Sequence, residues 1–209
     1  MRVMLVGQKW IGVEALALLL TKGHDVASVA APAGDRLHAA ASAAGVPVGD
    51  PGRILSASWV PPGVELLVAA HAHCFINRGA RQRTRFGAIG YHPSLLPLHR
   101  GRDAVRWTIH MRDQVAGGTV YWMTDRADGG PIAAQAWCLV RPDDTPETLW
   151  RRELGPMGLR LLERVLGDVG AGRIVKRPQD ESLASWEPAF DRPALSKSRP
   201  DRAVDTRGF

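Results

Sequence analysis

The first ninety residues alternate short apolar runs with segments of helical pattern, and this alternation restricts the fold more than any other feature. Three apolar runs, Arg2 to Gly7, Val26 to Ala31 and Val64 to Ala70, have the unbroken apolar character of strands buried on both faces. Helical patterns lie between them, at Val13 to Leu20 and Asp35 to Ala44, and each is followed by a glycine that can end a helix. We therefore predict an α/β fold with a Rossmann-like, doubly wound, mostly parallel sheet.

The second half of the chain predicts a different edge for this sheet. Two long strand patterns, Gly117 to Thr124 and Ile132 to Val140, follow each other without an intervening helix, which predicts a mixed edge. A helix is predicted before them, with Asp103 as its N-cap. A last helix is predicted after them, with Thr145 as N-cap and Pro146 at its first position.

Length and composition indicate one soluble domain with an appendage. The 209 residues suffice for one core, and we expect a catalytic domain over 1–170 and a short, partly irregular extension over 171–209, with Trp186 and Phe190 as anchors and a disordered end. No apolar run is long enough for a membrane span, and the first residues fit a buried strand better than a signal peptide. Cys74 and Cys138 lie in apolar segments, as core thiols do, which favours a cytoplasmic location.

The charge of the chain leaves two interpretations open. The formal net charge is +6 and the isoelectric point is about 10.0, with much of the excess in the run Arg78 to Arg85 and in the tail. A solvated basic helix face accounts for the run. Attraction of an anionic substrate, polyglutamylated or phosphorylated, is the functional alternative.

Two other site types can be weighed from the sequence. Gly7 and Gly12 belong to neither a Gly-x-Gly-x-x-Gly motif nor a phosphate-binding loop with Lys-Ser or Lys-Thr, so a tight turn explains them. His71 and His73 would share a face in a strand and could form a metal pair, but no further ligands follow at suitable spacing. We therefore expect this segment to line a pocket wall, and we expect no metal.

A histidine and an aspartate stand out as a chemical pair. The strand pattern Phe86 to Tyr91 stops at His92, which is followed by a proline, and the loop Thr124 to Pro131 carries Asp128. Polar groups that act in open α/β sheets lie at strand ends. His92 and Asp128 are thus the candidate general acid/base pair.

These motifs resemble those of a known family. The sequence His92-Pro93-Ser94-Leu95-Leu96-Pro97, followed by Arg100-Gly101 and then by Asp128-Gly129-Gly130-Pro131-Ile132, closely resembles the folate-dependent formyltransferases. That family includes the phosphoribosylglycinamide, methionyl-tRNA and nucleotide-sugar N-formyltransferases. The similarity covers most of Arg2 to Leu166, and two linked motifs of this length are a specific signal.

The resemblance implies transfer of a formyl group from 10-formyltetrahydrofolate to an amine of a small acceptor, such as an amino sugar. His92 would polarise the formyl oxygen and shuttle the proton, and Asp128 would orient His92. The resemblance further implies a folate pocket and an acceptor site. The folate pocket would use Ala72, His73, Cys74, Phe75, Ile76, Thr124, Asp125, Arg126 and Ala127, and the acceptor site would use Arg100, Gly101, Arg102 and Asp103. Too few residues follow Gly170 for a tRNA-binding domain, so we expect no nucleic acid or membrane partner; a homodimer is left open.

One position departs from the family pattern. The family has Asn-x-His-Pro-Ser, and the asparagine belongs to its catalytic set, but here that position is Gly90. Loss of such a donor costs about 10²–10³ in rate. His73, Asn77, Tyr121 or a water would have to supply it. Gly90 therefore keeps two alternatives open: a formyltetrahydrofolate hydrolase, in which water replaces the amine, and a non-catalytic folate-binding homologue.

Overall fold

The computed structural model describes residues 1–190 of the chain. In this part the strands and helices are numbered in chain order. The strands are β1 (Arg2–Gly7), β2 (Asp25–Ala30), β3 (Val48–Gly49), β4 (Ile54–Leu55), β5 (Leu66–Ala70), β6 (Phe75–Ile76), β7 (Ala88–His92), β8 (Val115–Trp122) and β9 (Ile132–Leu139). The helices are α1 (Lys9–Thr21), α2 (Arg36–Ala43), α3 (Arg78–Gln82), α4 (Ala104–His110), α5 (Pro146–Leu149) and α6 (Gly155–Gly170).

Seven of these strands form one sheet in the order β3-β2-β1-β5-β7-β8-β9, and β4 and β6 form a separate parallel pair. The strands from β3 to β7 run parallel, as predicted. Val3 and Leu5 of β1 belong to one apolar cluster, and Met4 and Val6 belong to another. Because successive side chains of a strand point to opposite faces, these two clusters cover the two sides of a doubly wound sheet. The predicted fold class is confirmed.

The mixed edge is also present. β8 pairs antiparallel with β7, and β9 pairs antiparallel with β8. The register places Gly90 of β7 opposite Tyr121 of β8, and His92 opposite Thr119. Within residues 1–190 no helix has the length and apolar character needed to cross a bilayer.

Capping chemistry fixes several helix ends where the sequence predicts them. Helix α1 ends at Lys22, and Gly23 after it has a φ of 71° that glycine adopts without strain. Thr145 and Thr148 form a reciprocal capping box at the start of α5, with Pro146 as its first residue. The predicted single last helix is instead α5 and α6 joined by a π-helical turn over Trp150–Leu154.

Two local details differ from what the sequence suggests. Residues 71–73 are not a strand, because His71 has a left-handed φ of 59° and turns the chain. Asp103 does precede α4, but its side chain makes no cap bond there. Its carboxylate instead accepts a hydrogen bond from the backbone N–H of Phe190 at 3.0 Å. The end predicted to be disordered lies outside the described residues.

The strand that carries His92 is locked to helix α6 through Tyr91. The Tyr91 hydroxyl donates to the carbonyl of Leu154 at 2.6 Å. The ring lies between Gly118 of β8 and Gly158 of α6, where added Cβ atoms would each approach it to 2.5 Å. Glycine at both positions therefore allows β7, β8 and α6 to meet around one aromatic ring.

We predict that Gly158→Ala lowers the free energy of unfolding by about 1–3 kcal/mol, because overpacking a core outweighs the better helix propensity of alanine. The matched control is Gly167→Ala in the same helix, where an added Cβ meets nothing within 4 Å. That variant should be more stable than the parent by up to about 1 kcal/mol. Urea denaturation of both variants measures the difference, and equal stabilities would contradict the packing account.

Candidate functional site

His92 is the last residue of β7, and its ring is fixed by the chain that follows. The side chain is buried, with the residue 6% exposed, and Nε2 lies 2.7 Å from the carbonyl oxygen of His99. A carbonyl can only accept a hydrogen bond, so Nε2 carries the proton. Nδ1 is therefore the nitrogen left to take or give a proton, and it faces Asp128 with Nδ1 and Oδ1 3.7 Å apart.

Asp128 is held by hydrogen bonds from three parts of the chain. Its Oδ1 accepts from the Tyr121 hydroxyl at 2.8 Å, and its Oδ2 accepts from the backbone N–H of Gly101 at 2.9 Å. Its carbonyl oxygen accepts from the side-chain amide of Gln179 at 2.7 Å. These bonds hold the carboxylate beside His92, at a residue whose own φ is 51°. The histidine and aspartate singled out in the sequence are thus adjacent in space.

The loop that carries Asp128 depends on a close backbone approach. A Cβ at Gly130 would lie 1.7 Å from the carbonyl oxygen of Trp122, which no side chain could tolerate. The backbone N–H of Trp122 also donates to the carbonyl of Pro131 at 2.8 Å. Glycine at position 130 therefore lets the loop pack tightly against the end of β8, which brings Asp128 next to Tyr121.

The two segments predicted to form a folate pocket are joined by Arg81. This residue is 8% exposed, and its guanidinium donates to the carbonyl of Ile76 at 2.5 Å and to the carboxylate of Asp125. The segment 72–76 and the loop 124–127 therefore lie close together. Sequence reasoning missed Arg81 because it lies inside a basic run that also fits a solvated helix face. The burial of its own side chain shows that this arginine is not solvated.

Of the three side chains named as substitutes for the missing asparagine, Asn77 is engaged elsewhere. Asn77 caps helix α3, with its side-chain oxygen accepting from Ala80 N–H at 2.9 Å. His73 lies near Asp50, with Nε2 and Oδ1 3.4 Å apart. Tyr121 does contact the His92–Asp128 pair. Among residues 1–190, no group of three or more His, Cys, Asp or Glu is placed to hold a metal ion.

Residues 177–190, here called the strap, cover the predicted acceptor residues. Arg100 is 5% exposed, and its guanidinium donates to the side chains of Gln179 and Glu181 at distances of 2.6 to 3.2 Å. The backbone of Arg100 donates to the carbonyl of Ser185. Arg102 is exposed. The guanidinium of Arg100 is therefore engaged by the protein itself, and Arg102 is the predicted acceptor cation that faces solvent.

The electrostatics of the strap follow from these contacts. The hydrogen bond from Arg100 is the main reason that the pKa of the Glu181 carboxyl is lowered to about 2, and Arg126 adds to the effect. Of the two aromatic anchors expected from the sequence, Phe190 packs on Trp107 with ring centroids 4.4 Å apart, while Trp186 remains largely exposed.

His99 links the strap to His92. Its Nε2 lies 2.7 Å from Asp113 and its Nδ1 lies 3.2 Å from Glu187 of the strap, while its carbonyl holds His92. A φ of 52° turns this carbonyl toward His92. No spacing in the sequence marks His99, because its role comes from its backbone. The strap and its contacts to Arg100 and Asp128 were likewise missed.

Comparison with known proteins identifies relatives of this chain. The family model described as "Formyl transferase" matches residues 55–164, which is more than half of the chain. The mitochondrial 10-formyltetrahydrofolate dehydrogenase of Mus musculus is 34% identical over 201 residues, covering 90% of this chain and 22% of that protein. The chain thus spans about a fifth of the length of the curated relatives that it matches in this way.

Solved structures give the same result. Glycinamide ribonucleotide transformylase 1 from Symbiobacterium toebii superposes with a TM-score of 0.73 at 26% identity, over 85% of this chain and 92% of that one. The N-formyltransferase from Helicobacter canadensis, in complex with folinic acid and dTDP-3-aminofucose, shares the fold with a TM-score of 0.74 at 16% identity, over 91% and 72% of the two chains. With its paired His92 and Asp128 motifs and a matching family model, the chain belongs to the formyl transferase family.

Proposed function

We propose that the protein transfers a formyl group from 10-formyltetrahydrofolate to the amine of a small acceptor. The observation that carries this proposal is the His92–Asp128 pair. Nε2 of His92 is committed to the His99 carbonyl, and Nδ1 faces a carboxylate that Tyr121 and Gly101 hold in place. Such a pair can accept and return one proton, which is what acyl transfer to an amine requires.

The reaction balances with these groups. The acceptor nitrogen attacks the formyl carbon, and a tetrahedral intermediate forms that carries an oxyanion. One proton of the amine passes to Nδ1 of His92, whose positive charge Asp128 then stabilises. The bond between the formyl carbon and the folate nitrogen breaks, and that nitrogen receives the proton. The products are a formamide and tetrahydrofolate.

The folate would lie between the segment 72–76 and the loop 124–127. Arg81 supports this placement because it ties Ile76 to Asp125 and so sets the spacing of the two walls. Phe75, at 48% exposed, offers an apolar surface on one wall. The cofactor is a co-substrate here, and the proposed chemistry calls for no metal.

The acceptor would approach over Gly101 and Arg102. Two relatives support an amine acceptor. One is a glycinamide ribonucleotide transformylase, and the other is an N-formyltransferase bound to an amino sugar nucleotide. The Arg100–Glu181 ion pair limits how deeply an anionic acceptor can enter. We infer a small acceptor whose anionic part, if it has one, meets Arg102.

A second candidate is hydrolysis of 10-formyltetrahydrofolate, with water in place of the amine. Two observations favour it: position 90 has no side chain to act on the intermediate, and the strap covers Arg100. The dehydrogenase relatives, which are named for formyltetrahydrofolate rather than for an amine acceptor, fit it as well. His92 would then take the proton of water, and formate would be released.

A direct assay separates these candidates. The protein is incubated with 10-formyltetrahydrofolate, with and without a panel of amino sugars and amino acids, and formate, formamide and tetrahydrofolate are quantified. Formamide that depends on the acceptor supports transfer, whereas stoichiometric formate without any acceptor supports hydrolysis. Binding of 5-formyltetrahydrofolate without turnover in either assay would leave a folate-binding protein.

We expect His92→Ala to lower kcat by about 10²–10⁴-fold, because the proton acceptor is lost while the folate walls are untouched. The dissociation constant for 5-formyltetrahydrofolate, measured by calorimetry, should stay within about twofold. His38→Ala on helix α2 is the control and should leave both values unchanged. Full activity of the His92 variant would refute the proposed chemistry.

We expect Glu181→Gln to loosen the strap, since the charge that holds Arg100 is removed. Amide hydrogen exchange over residues 177–190 should become faster, and KM for an anionic acceptor should fall because Arg100 becomes available.

In the parent protein the same contact should depend on pH. The lowered pKa of Glu181 means that its ion pair stabilises the folded strap above pH 4.5 and is lost as the pH falls toward about 2.

The control for the Glu181→Gln variant is Glu163→Gln, which removes an exposed ion pair with Lys22. Unchanged exchange in the strap of the Glu181 variant would contradict its role.

A further inference from the structure

Tyr121 lies on the strand next to Gly90, the position at which the family has its catalytic asparagine. It is the residue of β8 directly opposite Gly90, and its ring is 5% exposed. A Cβ built on Gly90 would meet Cε1 of Tyr121 at 3.4 Å and the sulfur of Met123 at 3.4 Å. A Cβ alone fits, but the amide of an asparagine would have to displace one of these groups. Glycine at 90 and tyrosine at 121 are therefore complementary.

The hydroxyl of Tyr121 binds the oxygen that matters for catalysis. It donates to Oδ1 of Asp128 at 2.8 Å, and Oδ1 is the same atom that lies 3.7 Å from Nδ1 of His92. Burial and the negative charge of Asp128 raise the pKa of the Tyr121 phenol well above its ordinary value. The phenol therefore stays protonated at neutral pH and acts as a permanent donor.

We propose that Tyr121 is a positioning residue that orients Oδ1 of Asp128 toward Nδ1 of His92. Strand β8 thus supplies a hydrogen-bond donor to a site that has no side chain at position 90. This rests on the proposed function of the His92–Asp128 pair. The hydroxyl has one proton and Asp128 takes it, so the role is to orient and stabilise the ionised carboxylate rather than to contact the formyl oxygen.

The test is Tyr121→Phe, which keeps the ring beside Gly90 and removes only the donor. We expect kcat to fall by about 10²-fold with KM for the folate unchanged, because a misplaced catalytic group has a cost of this size. The acidic limb of the kcat profile should move, because the carboxylate of Asp128 loses one hydrogen-bond donor. Met123→Leu, which alters packing at Gly90 without touching a donor, should change neither the rate nor the profile.

A second measurement does not depend on turnover. The ¹⁵N chemical shift of Nδ1 of His92, assigned with His92→Gln, should change in the Tyr121→Phe variant and not in Met123→Leu. Circular dichroism and 5-formyltetrahydrofolate binding establish that each variant is folded.

The outcomes separate the two proposals. An unchanged ¹⁵N shift and an unchanged pH profile in Tyr121→Phe would overturn the role of Tyr121 even if the parent enzyme is fully active. A parent protein that turns over no formyl group would refute the proposed function, and a changed Nδ1 shift would then still show that Tyr121 positions Asp128. Loss of kcat with an unmoved acidic limb and an unmoved Nδ1 shift would indicate packing alone, and it too would overturn the positioning role.

Discussion

The antiparallel pairing of β8 with β7 is the constraint on which the site depends. A parallel strand next to β7 would end beside the end of β7 and not beside its start. Here β8 ends beside the start of β7, so the loop after it must fold back over the face that carries His92. Asp128 lies in this loop beside the histidine, and the hydroxyl of Tyr121 donates a hydrogen bond to its carboxylate.

The polar groups around His92 form one connected set rather than separate contacts. The His99 carbonyl decides which ring nitrogen of His92 is protonated, and His99 is itself held by Asp113 and the strap residue Glu187. The chemistry of one histidine therefore depends on residues nearly a hundred positions away in the chain.

The parts of this structure that follow regular patterns could be predicted, and the parts that depend on individual polar contacts could not. The strands around β1 and β5, the Thr145 cap and the position of His92 at a strand end all follow from apolar runs and capping residues. The sequence of the strap has no apolar periodicity, because polar side chains such as Gln179 and Glu181 and backbone groups attach it to the rest of the structure. Arg81 was hidden in a basic run, and the turn at His99 has no sequence signature.

The strap also affects where the functional unit ends. Phe190 is anchored on Trp107 and on the carboxylate of Asp103, and Gln179 bonds the carbonyls of Asp128 and Gly130. A fragment cut at Gly170 would keep His92 and Asp128 and lose the groups that brace their loops. Protein engineers who graft this domain, or fuse it to a partner, therefore have reason to place the junction beyond Phe190 rather than at the end of the last helix.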